Sequence, residues 1–453
     1  MDQGIRPDRG FESSKAGREG KGRFAAGIVV GVLVTVLVAA MFALAAFARQ
    51  AAVRSQAAAA ESQAAASAAA QGDEAKLDID AIARKMKRIQ YVIEDHFLFE
   101  EDPEKVETWI YTGMMYGLDD PYSVYFTPED YEALMEEAEG TYAGIGAMVS
   151  QDTQTGVMSI VRVFADCPAF EAGMLPGDIL YKVDDLEVTG MDLDLVVKNN
   201  IRGRPGSTVT ITVLRGDDME EVPLTIKRRM IEVPTVEHEM LAGDVGYVSV
   251  LQFDGVTTDQ FIAAVEDLQG QGMEKLVIDL RGNPGGVLDV AVDMMAYVLP
   301  DGLLIYTEDK NGLGEKYYTE GGKIRVSSTA GSVPGGYPRN DGHELDIPIA
   351  VLIDGSSASA SEVFAGALKD YKKAVLVGTT TFGKGIVQQM VPLGDGSALK
   401  ITIAHYYTPM GNDVHEKGIE PDIEVELSEE LRTKAVVEHD EDNVLQAAIA
   451  ALE

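Results

Sequence analysis

The chain has 453 residues, a length that suits about three domains, and an apolar fraction of 46% that permits a sizeable core. Lys and Arg total 38 against 74 Asp and Glu, a formal charge of −36, which disfavours binding of nucleic acid through its phosphates and adhesion of the folded part to an anionic membrane surface. The single cysteine, Cys167, excludes an intrachain disulfide and reads as a small buried apolar residue, and the six histidines show no metal-site spacing.

Residues 1–23 are polar and carry Arg6, Arg9, Lys15, Arg18, Lys21 and Arg23; Phe24 to Phe47 then form an uncharged apolar run of 24 residues. As a helix such a run spans roughly 36 Å, against a bilayer core of about 30 Å. Residues 24–48 therefore read as a transmembrane anchor. The upstream basic residues keep 1–23 in the cytoplasm and place everything after Arg49 outside it. A cleaved signal peptide competes, because Ala46-Phe47-Ala48 has the small-x-small form of a cleavage site, although the run is long for one. Residues 49–76, rich in Ala, Ser and Gln, have no amphipathic stripe and read as a tether. Residues 77–138 form a helical region, with one patterned helix from Leu77 through Ile93 and another from Pro103 to Met115. Gly117-Leu118-Asp119-Asp120-Pro121-Tyr122-Ser123 and Tyr125-Phe126-Thr127 follow.

Residues 139–230 open on Gly140-Thr141-Tyr142-Ala143-Gly144-Ile145-Gly146 and hold strand-like runs at Ser159–Phe164, Ile179–Val183, Val209–Leu214 and Val222–Ile226. A helix around Leu193–Ile201 lies between them, followed by Arg202 and Arg204, which are placed to touch the body of the protein. This unit resembles a PDZ domain of the bacterial protease type, a small β-barrel with helices. In such a unit a glycine-rich loop exposes consecutive N–H groups to a peptide's C-terminal carboxylate while the peptide adds as a strand. The resemblance assigns that loop to Tyr142, Ala143, Gly144, Ile145 and Gly146.

In 231–427, apolar strands alternate with helices, as an α/β core requires. Val245–Val250 is followed by a helix over Thr258–Gln269, and Lys275–Leu280 by the turn Gly282-Asn283-Pro284-Gly285-Gly286 and a helix over Val287–Leu299. Residues 312–342 are rich in Gly, Ser and Pro and read as a mobile loop or an insertion. Residues 428–453 close the chain with a helix over Asn443–Leu452.

The stretch from Asp354 to Gln388 carries the chemistry. Ser356, Ser357, Ser359 and Ser361 fall between the apolar run Ile349–Ile353 and a helix, so a hydroxyl stands where free N–H groups and the helix dipole favour an oxyanion. Serine needs a base, and Lys384, bracketed by Gly383 and Gly385, is the nearest framed candidate. A lysine of reference pKa about 10.4 has to be lowered to roughly 7–8 for that task, on the order of 4 kcal/mol, which burial against Phe382, Ile386 and Val387 would supply. The Gln388 amide would orient the amine without adding charge. With no Gly-x-Ser-x-Gly elbow, a His-based triad has little support.

Ser359-Ala360-Ser361-Glu362 with Thr381-Phe382-Gly383-Lys384-Gly385-Ile386-Val387-Gln388 resembles the carboxyl-terminal processing peptidases, also called tail-specific proteases, and the likeness covers about 77–453. It implies Ser359 as nucleophile, Lys384 as general base and Gln388 as supporting amide. It also implies oxyanion donors on the backbone of Gly286, with Gly285 close behind, and of Ala360. Relatives often carry Asn where Asp354 stands, and their N-terminal helical region resembles a dimerisation arm, so a homodimer is an expectation. The resulting expectation is an α+β multidomain chain: transmembrane helix, helical arm, PDZ domain and α/β protease core. It would act as an extracytoplasmic serine endopeptidase on protein C-terminal tails, with no metal and no cofactor. Two rivals stay open, a tethered PDZ scaffold with an idle protease body and an α/β core that binds an acyl or lipid ligand.

Overall fold

The computed structural model describes residues 77–453 except 217, 322, 330–336, 339–343, 433, 435 and 436. The apolar run Phe24–Phe47 and the tether lie outside the described residues, and among those described no helix is long and apolar enough to cross a membrane. The described residues up to Glu100 belong to one unit and those from Glu101 to Glu453 to a second. In the first, helix α1 (Ile79–His96) starts at Asp78, whose carboxylate accepts the Ala81 N–H at 2.8 Å. Its apolar residues recur at Ile79, Ile82, Ile89 and Val92, a helical stripe that stays exposed.

The second unit begins with α2 (Pro103–Tyr116), capped by Asp102 with proline at its first position, where the missing N–H costs nothing. Strand β1 (Val124–Phe126) and α3 (Pro128–Glu139) follow, and α3 ends at Gly140 in a left-handed conformation (φ 68°). A small β unit comes next: β2 (Thr141–Gly144), β3 (Ala147–Gln151), β4 (Met158–Val163), α4 (Pro168–Glu171), β5 (Ile179–Val183) and β6 (Leu186–Glu187). It continues with α5 (Leu193–Val196), extended by a wider turn over Val197–Ile201, then β7 (Thr208–Arg215), β8 (Glu220–Lys227) and β9 (Arg229–Glu232). The order β3-β4-β5-β7-β8 makes one sheet, with β6 on β5, and β2 pairs with β9. Period-two burial of Val209, Ile211 and Val213 builds its separate core with Ile160, Leu180 and Ile226. The four expected strands are present, and β2, β3, β6 and β9 complete the unit. Strand β3 lies at the sheet's edge, where it is open to a further strand.

The core contains two sheets. Strands β10 (Val236–Leu241), β11 (Val245–Val250) and β12 (Lys275–Asp279) frame α6 (Thr257–Gly270), and α7 (Leu288–Val298) follows. Strands β13 (Gly302–Asp309), β14 (Glu315–Thr319), β15 (Lys323–Ser328) and β16 (Tyr337–Pro338) lead to β17 (Ile349–Ile353), α8 (Ala360–Asp370) and β18 (Ala374–Gly378). Strands β19 (Ile386–Pro392), β20 (Ala398–Tyr407) and β21 (Ile423–Glu424) precede α9 (Asn443–Ala451). One sheet has the order β10-β11-β12-β17-β18-β21 and is parallel from β11 to β21. Helices α6, α7 and α8 cover one face and α9 the other, so these strands are apolar throughout rather than alternating. In the second sheet, the ten-residue β20 pairs with β1, β13 and β19. The expected loop over 312–342 is corrected in part: β14 and β15 are paired strands of this sheet, and Tyr317, Thr319 and Ile324 contribute inward side chains despite the Gly-rich flanks.

Candidate active site

Three successive parallel strands deliver their following turns to the same end of the sheet. Strand β12 leads into Gly282–Gly286, β17 into Asp354–Ser359 and β18 into Thr379–Lys384, and the pairing β12–β17–β18 sets these turns side by side. The crevice beyond the carboxyl ends of such strands is where open α/β sheets bind ligands.

The four serines have distinct surroundings. The Ser357 hydroxyl donates to the Leu280 carbonyl at 2.8 Å, and Ser361 donates to the Asn283 carbonyl at 3.0 Å; both side chains are fully buried. Ser356 is exposed on the turn. Ser359 is partly exposed at the head of α8 with φ 56° and ψ −115°, a conformation that is strained for a residue with a side chain. Its Oγ faces the Glu362 N–H in the capping box of α8, and among the described hydrogen bonds it donates to no acceptor. Its N–H donates to Glu362 Oε2 at 2.9 Å, and its carbonyl accepts from the Tyr406 hydroxyl at 3.2 Å.

The glycine turn packs directly against this serine. A Cβ on Gly285 would lie 2.6 Å from the Ala358 carbonyl, 2.8 Å from Ser359 Cβ and 2.9 Å from the Ala360 nitrogen. One on Gly286 (φ 147°) would lie 2.2 Å from the Phe253 carbonyl, so glycine alone fits both places. The fully buried Asn283 braces the turn: its amide donates to Val250 O at 2.7 Å, and its Oδ1 accepts the Gly285 N–H at 2.8 Å. Gly285 is thereby spent as a donor. The N–H groups of Gly286 and Ala360 have no acceptor among the described hydrogen bonds. Arg281, just before the turn, bonds Asp279 at 2.5 Å and Asp442 at 2.8 Å, tying it to the cap of α9.

Lys384 is half-buried. Burial, joined by the Lys400 charge, holds its amine below the usual lysine value, while Glu362 and Asp120 pull the other way. Its Nζ lies 4.7 Å from the centre of the Tyr122 ring, and among the described residues no hydrogen bond joins it to Ser359 Oγ. Of the expected walls, Phe382 is corrected, while Ile386 is buried and Val387 partly buried. Phe382 is 58% exposed, and the aromatic face over the amine is Tyr122, from the segment before β1. The Gln388 amide donates to Ile386 O and Thr402 Oγ1, both at 3.4 Å, and not to the amine; Gln388 follows a register shift against β20.

Glu362 carried no expected role, yet it is the hub of the site. Fully buried, its Oε2 accepts the N–H groups of Ser359 (2.9 Å) and Lys384 (2.8 Å). Its Oε1 accepts the Thr381 hydroxyl (2.6 Å) and the Gly383 N–H (2.7 Å). An acidic residue in the first turn of a helix ordinarily reads as a dipole partner, so the only signal was its spacing of three from Ser359. Asp120 and Tyr122, to which the sequence gives no site role, reach the site from a segment distant along the chain; Asp120 anchors that segment through Ser123 (2.5 Å), whose oxygen accepts the Thr402 N–H at 3.1 Å.

In the small β unit the expected loop is corrected in part: Tyr142, Ala143 and Gly144 lie in β2, paired with β9, and only Ile145, which is buried, and Gly146, with φ 82°, leave the strand. The N–H groups of Gly146 and Ala147 face the phenol oxygen of Tyr142, and burial pushes that phenol up to about 12. Arg202 lies over the Tyr142 ring at 5.1 Å and bonds Glu136 of α3 at 2.6 Å, so its contact is with the helical arm rather than with the protease body.

Residues 244–425 match the model of peptidase family S41, and residues 143–226 match that of a PDZ domain. A probable CtpA-like serine protease of Staphylococcus saprophyticus is 35% identical over 344 residues, 76% of this chain and 65% of that protein. A protein of the same description from Staphylococcus aureus is 36% identical over 343 residues, covering 76% and 64%. The chain thus spans about 65% of the length of the curated relatives it matches. The solved photosystem II D1 C-terminal processing protease is 29% identical, with 70% of this chain and 80% of that one covered, at a TM-score of 0.39. With its PDZ domain and its α/β core, the chain belongs to peptidase family S41, among the carboxyl-terminal processing peptidases.

Proposed function

We propose that this protein is a serine endopeptidase, held to the membrane by Phe24–Phe47 with its folded part outside the cytoplasm, that cleaves chains recognised by their C-termini. The observation that carries this reading is the setting of Ser359: a partly exposed hydroxyl that donates to no acceptor, flanked by the N–H groups of Gly286 and Ala360, which have none among the described hydrogen bonds. In this scheme the PDZ loop Tyr142–Gly146 holds the tail carboxylate. Neutral Lys384 takes the Ser359 proton as Oγ attacks the scissile carbonyl, and the two N–H groups bind the oxyanion. Lys384 then returns the proton to the leaving amine. A water deprotonated by Lys384 attacks the acyl-enzyme, and Ser359 leaves reprotonated. For this the Lys384 amine leaves the Tyr122 face for Ser359, and the Gln388 amide turns to orient it, so the arrangement described above is a resting one.

Incubation of the full chain with an unfolded protein bearing an apolar C-terminus, followed by mass analysis, tests the scheme. Ser359→Ala is expected to abolish cleavage while tail binding survives. Lys384→Arg is expected to be equally inactive, because a guanidinium keeps its proton; wild-type turnover by that variant removes lysine from the base role. The unclosed Ser359–Lys384 pair also fits an idle tail-binding scaffold, which would bind tails and release no products. For the anchor, alkaline washing should leave the full chain with the bilayer and release one that begins after Arg49.

A further inference from the structure

The Glu362 carboxylate is fully buried, and a buried charge is tolerated only when its lone pairs are filled. Four donors fill them, and all four belong to the two segments that have to meet: the Ser359 N–H at the head of α8, and the Thr381 hydroxyl, Gly383 N–H and Lys384 N–H of the loop after β18. The two N–H groups that share Oε2 are those of Ser359 and Lys384 themselves. Main-chain atoms of the two residues are therefore fixed within one hydrogen bond of a common oxygen, although among the described residues no hydrogen bond joins their side chains. The same bond holds the N–H of Ser359 in its strained conformation (φ 56°), which a helix cap without such an acceptor would relax.

We propose that Glu362 is a positioning residue of the peptidase reaction, one carboxylate that sets the Ser359 backbone and the Lys384 loop at the separation their side chains need. This rests on the Ser–Lys reading above. Glu362 touches neither substrate nor the reacting atoms; it acts through the two residues it holds. Its charge also bears on the amine. Lys384 is faced by Glu362 from α8, Asp120 and Tyr122 from the segment before β1, and Lys400 from β20, while Tyr406 of β20 faces Glu362. Of these charges Glu362 and Asp120 favour the ammonium form and Lys400 opposes it. The carboxylate thus stabilises the frame at the expense of some neutral lysine.

The test measures kcat, KM and the pH profile of casein cleavage by the full chain carrying Glu362→Gln or Glu362→Asp, with the folded fraction read by circular dichroism. An amide keeps one acceptor oxygen, so its NH2 confronts one of the two donor pairs. For Glu362→Gln the expected result is a kcat lowered by about 10–100-fold with KM within about threefold. The acid limb should move to lower pH, because a charge that favours the ammonium is gone. Glu362→Asp keeps the charge and shortens the reach, so kcat should fall with the limb unmoved. A purely structural role would lower the folded fraction and leave kcat per folded molecule and the limb as in the wild type, which overturns the proposal. If Glu362→Gln does not fold, Glu362→Asp decides, and wild-type kcat in that variant overturns it. Should Ser359→Ala or Lys384→Arg retain turnover, the Ser–Lys reading itself has failed; a silent Glu362→Gln in a chain where both are dead removes Glu362 alone.

Discussion

The turn Gly282–Gly286 and the segment Tyr142–Gly146, which leaves strand β2 after Gly144, both carry glycines in tight contact, and they are packed differently. In the turn, glycine meets backbone: added Cβ atoms would strike the Phe253 carbonyl at 2.2 Å and the Ala358 carbonyl at 2.6 Å. Buried Asn283 locks it further, and the Gly286 donor stays open. In the loop, glycine meets side chains: a Cβ on Gly144 would strike the Tyr142 ring at 2.5 Å, and one on Gly146 would strike Cys167 Cβ at 2.3 Å. The N–H groups at its end, those of Gly146 and the following Ala147, face the Tyr142 oxygen. Donors that stabilise a fleeting charge act best when nothing moves at the moment of reaction. Donors that hold a ligand reversibly tolerate an internal occupant that steps aside.

Substitutions that invert each packing mode should break this contrast, with the larger effect in the turn. Gly286→Ala places a methyl inside the distance of closest approach to the Phe253 carbonyl and demands φ near 147° from a residue with a side chain. The expected outcome is a kcat lower by about 10²–10³-fold with KM nearly unchanged. A variant that loses thermal stability but keeps its kcat would show that this N–H faces no oxyanion. Tyr142→Phe removes the oxygen that the loop donors face and leaves the ring packed. Free-carboxylate tail peptides should then bind tighter by about fivefold, the equivalent of about 1 kcal/mol, with amidated peptides unchanged, as read by fluorescence anisotropy. Weaker binding would instead make the phenol a contact to the peptide.

What the sequence disclosed followed the range of the interactions involved. The βα units were readable because an apolar run, a glycine or serine turn and a helix are contiguous. The serine and glycine turns meet because β12 and β17 pair in parallel, and alternation of strands and helices already implies a parallel sheet. The environment of Lys384 was not readable, since Tyr122 and Asp120 arrive from a segment that only the pairing of β1 with β20 brings over the amine. Proximity in sequence pointed to Phe382, which faces solvent. Glu362 was visible only as part of a motif, because the donors that give it a role come from the next turn along the sheet. Strands β14 and β15 were hidden by composition, their Gly-rich flanks outweighing the short alternation within.

The smallest expected effect lies at the joint between the two glycine segments. Phe253 donates to Gly285 O at 3.0 Å and accepts the Val287 N–H at 2.7 Å, while Gly255, two residues on, donates to Ala138 O at the end of α3, just before Gly140 and the PDZ loop. Between them Asp254 is buried, and burial, joined by the Glu137 charge, pushes its carboxyl up to about 6. Its folded pKa thus exceeds the unfolded value of about 3.9, so its stabilising contribution is complete below about pH 4 and is lost as pH rises through about 6. Asn is neutral at every pH. Asp254→Asn should match the wild type near pH 4 and melt a few degrees higher above pH 6, with the gap opening across that window. Melting curves that stay parallel from pH 4 to 8 would show that the carboxyl does not titrate there. A stiffer joint should also leave Gly286 in place, since Phe253 holds it by backbone alone, so kcat on tail-less peptides should not change. A change confined to substrates with a free tail would mean that the loop reports to the turn through this joint, and that its occupancy is sensed rather than merely tolerated.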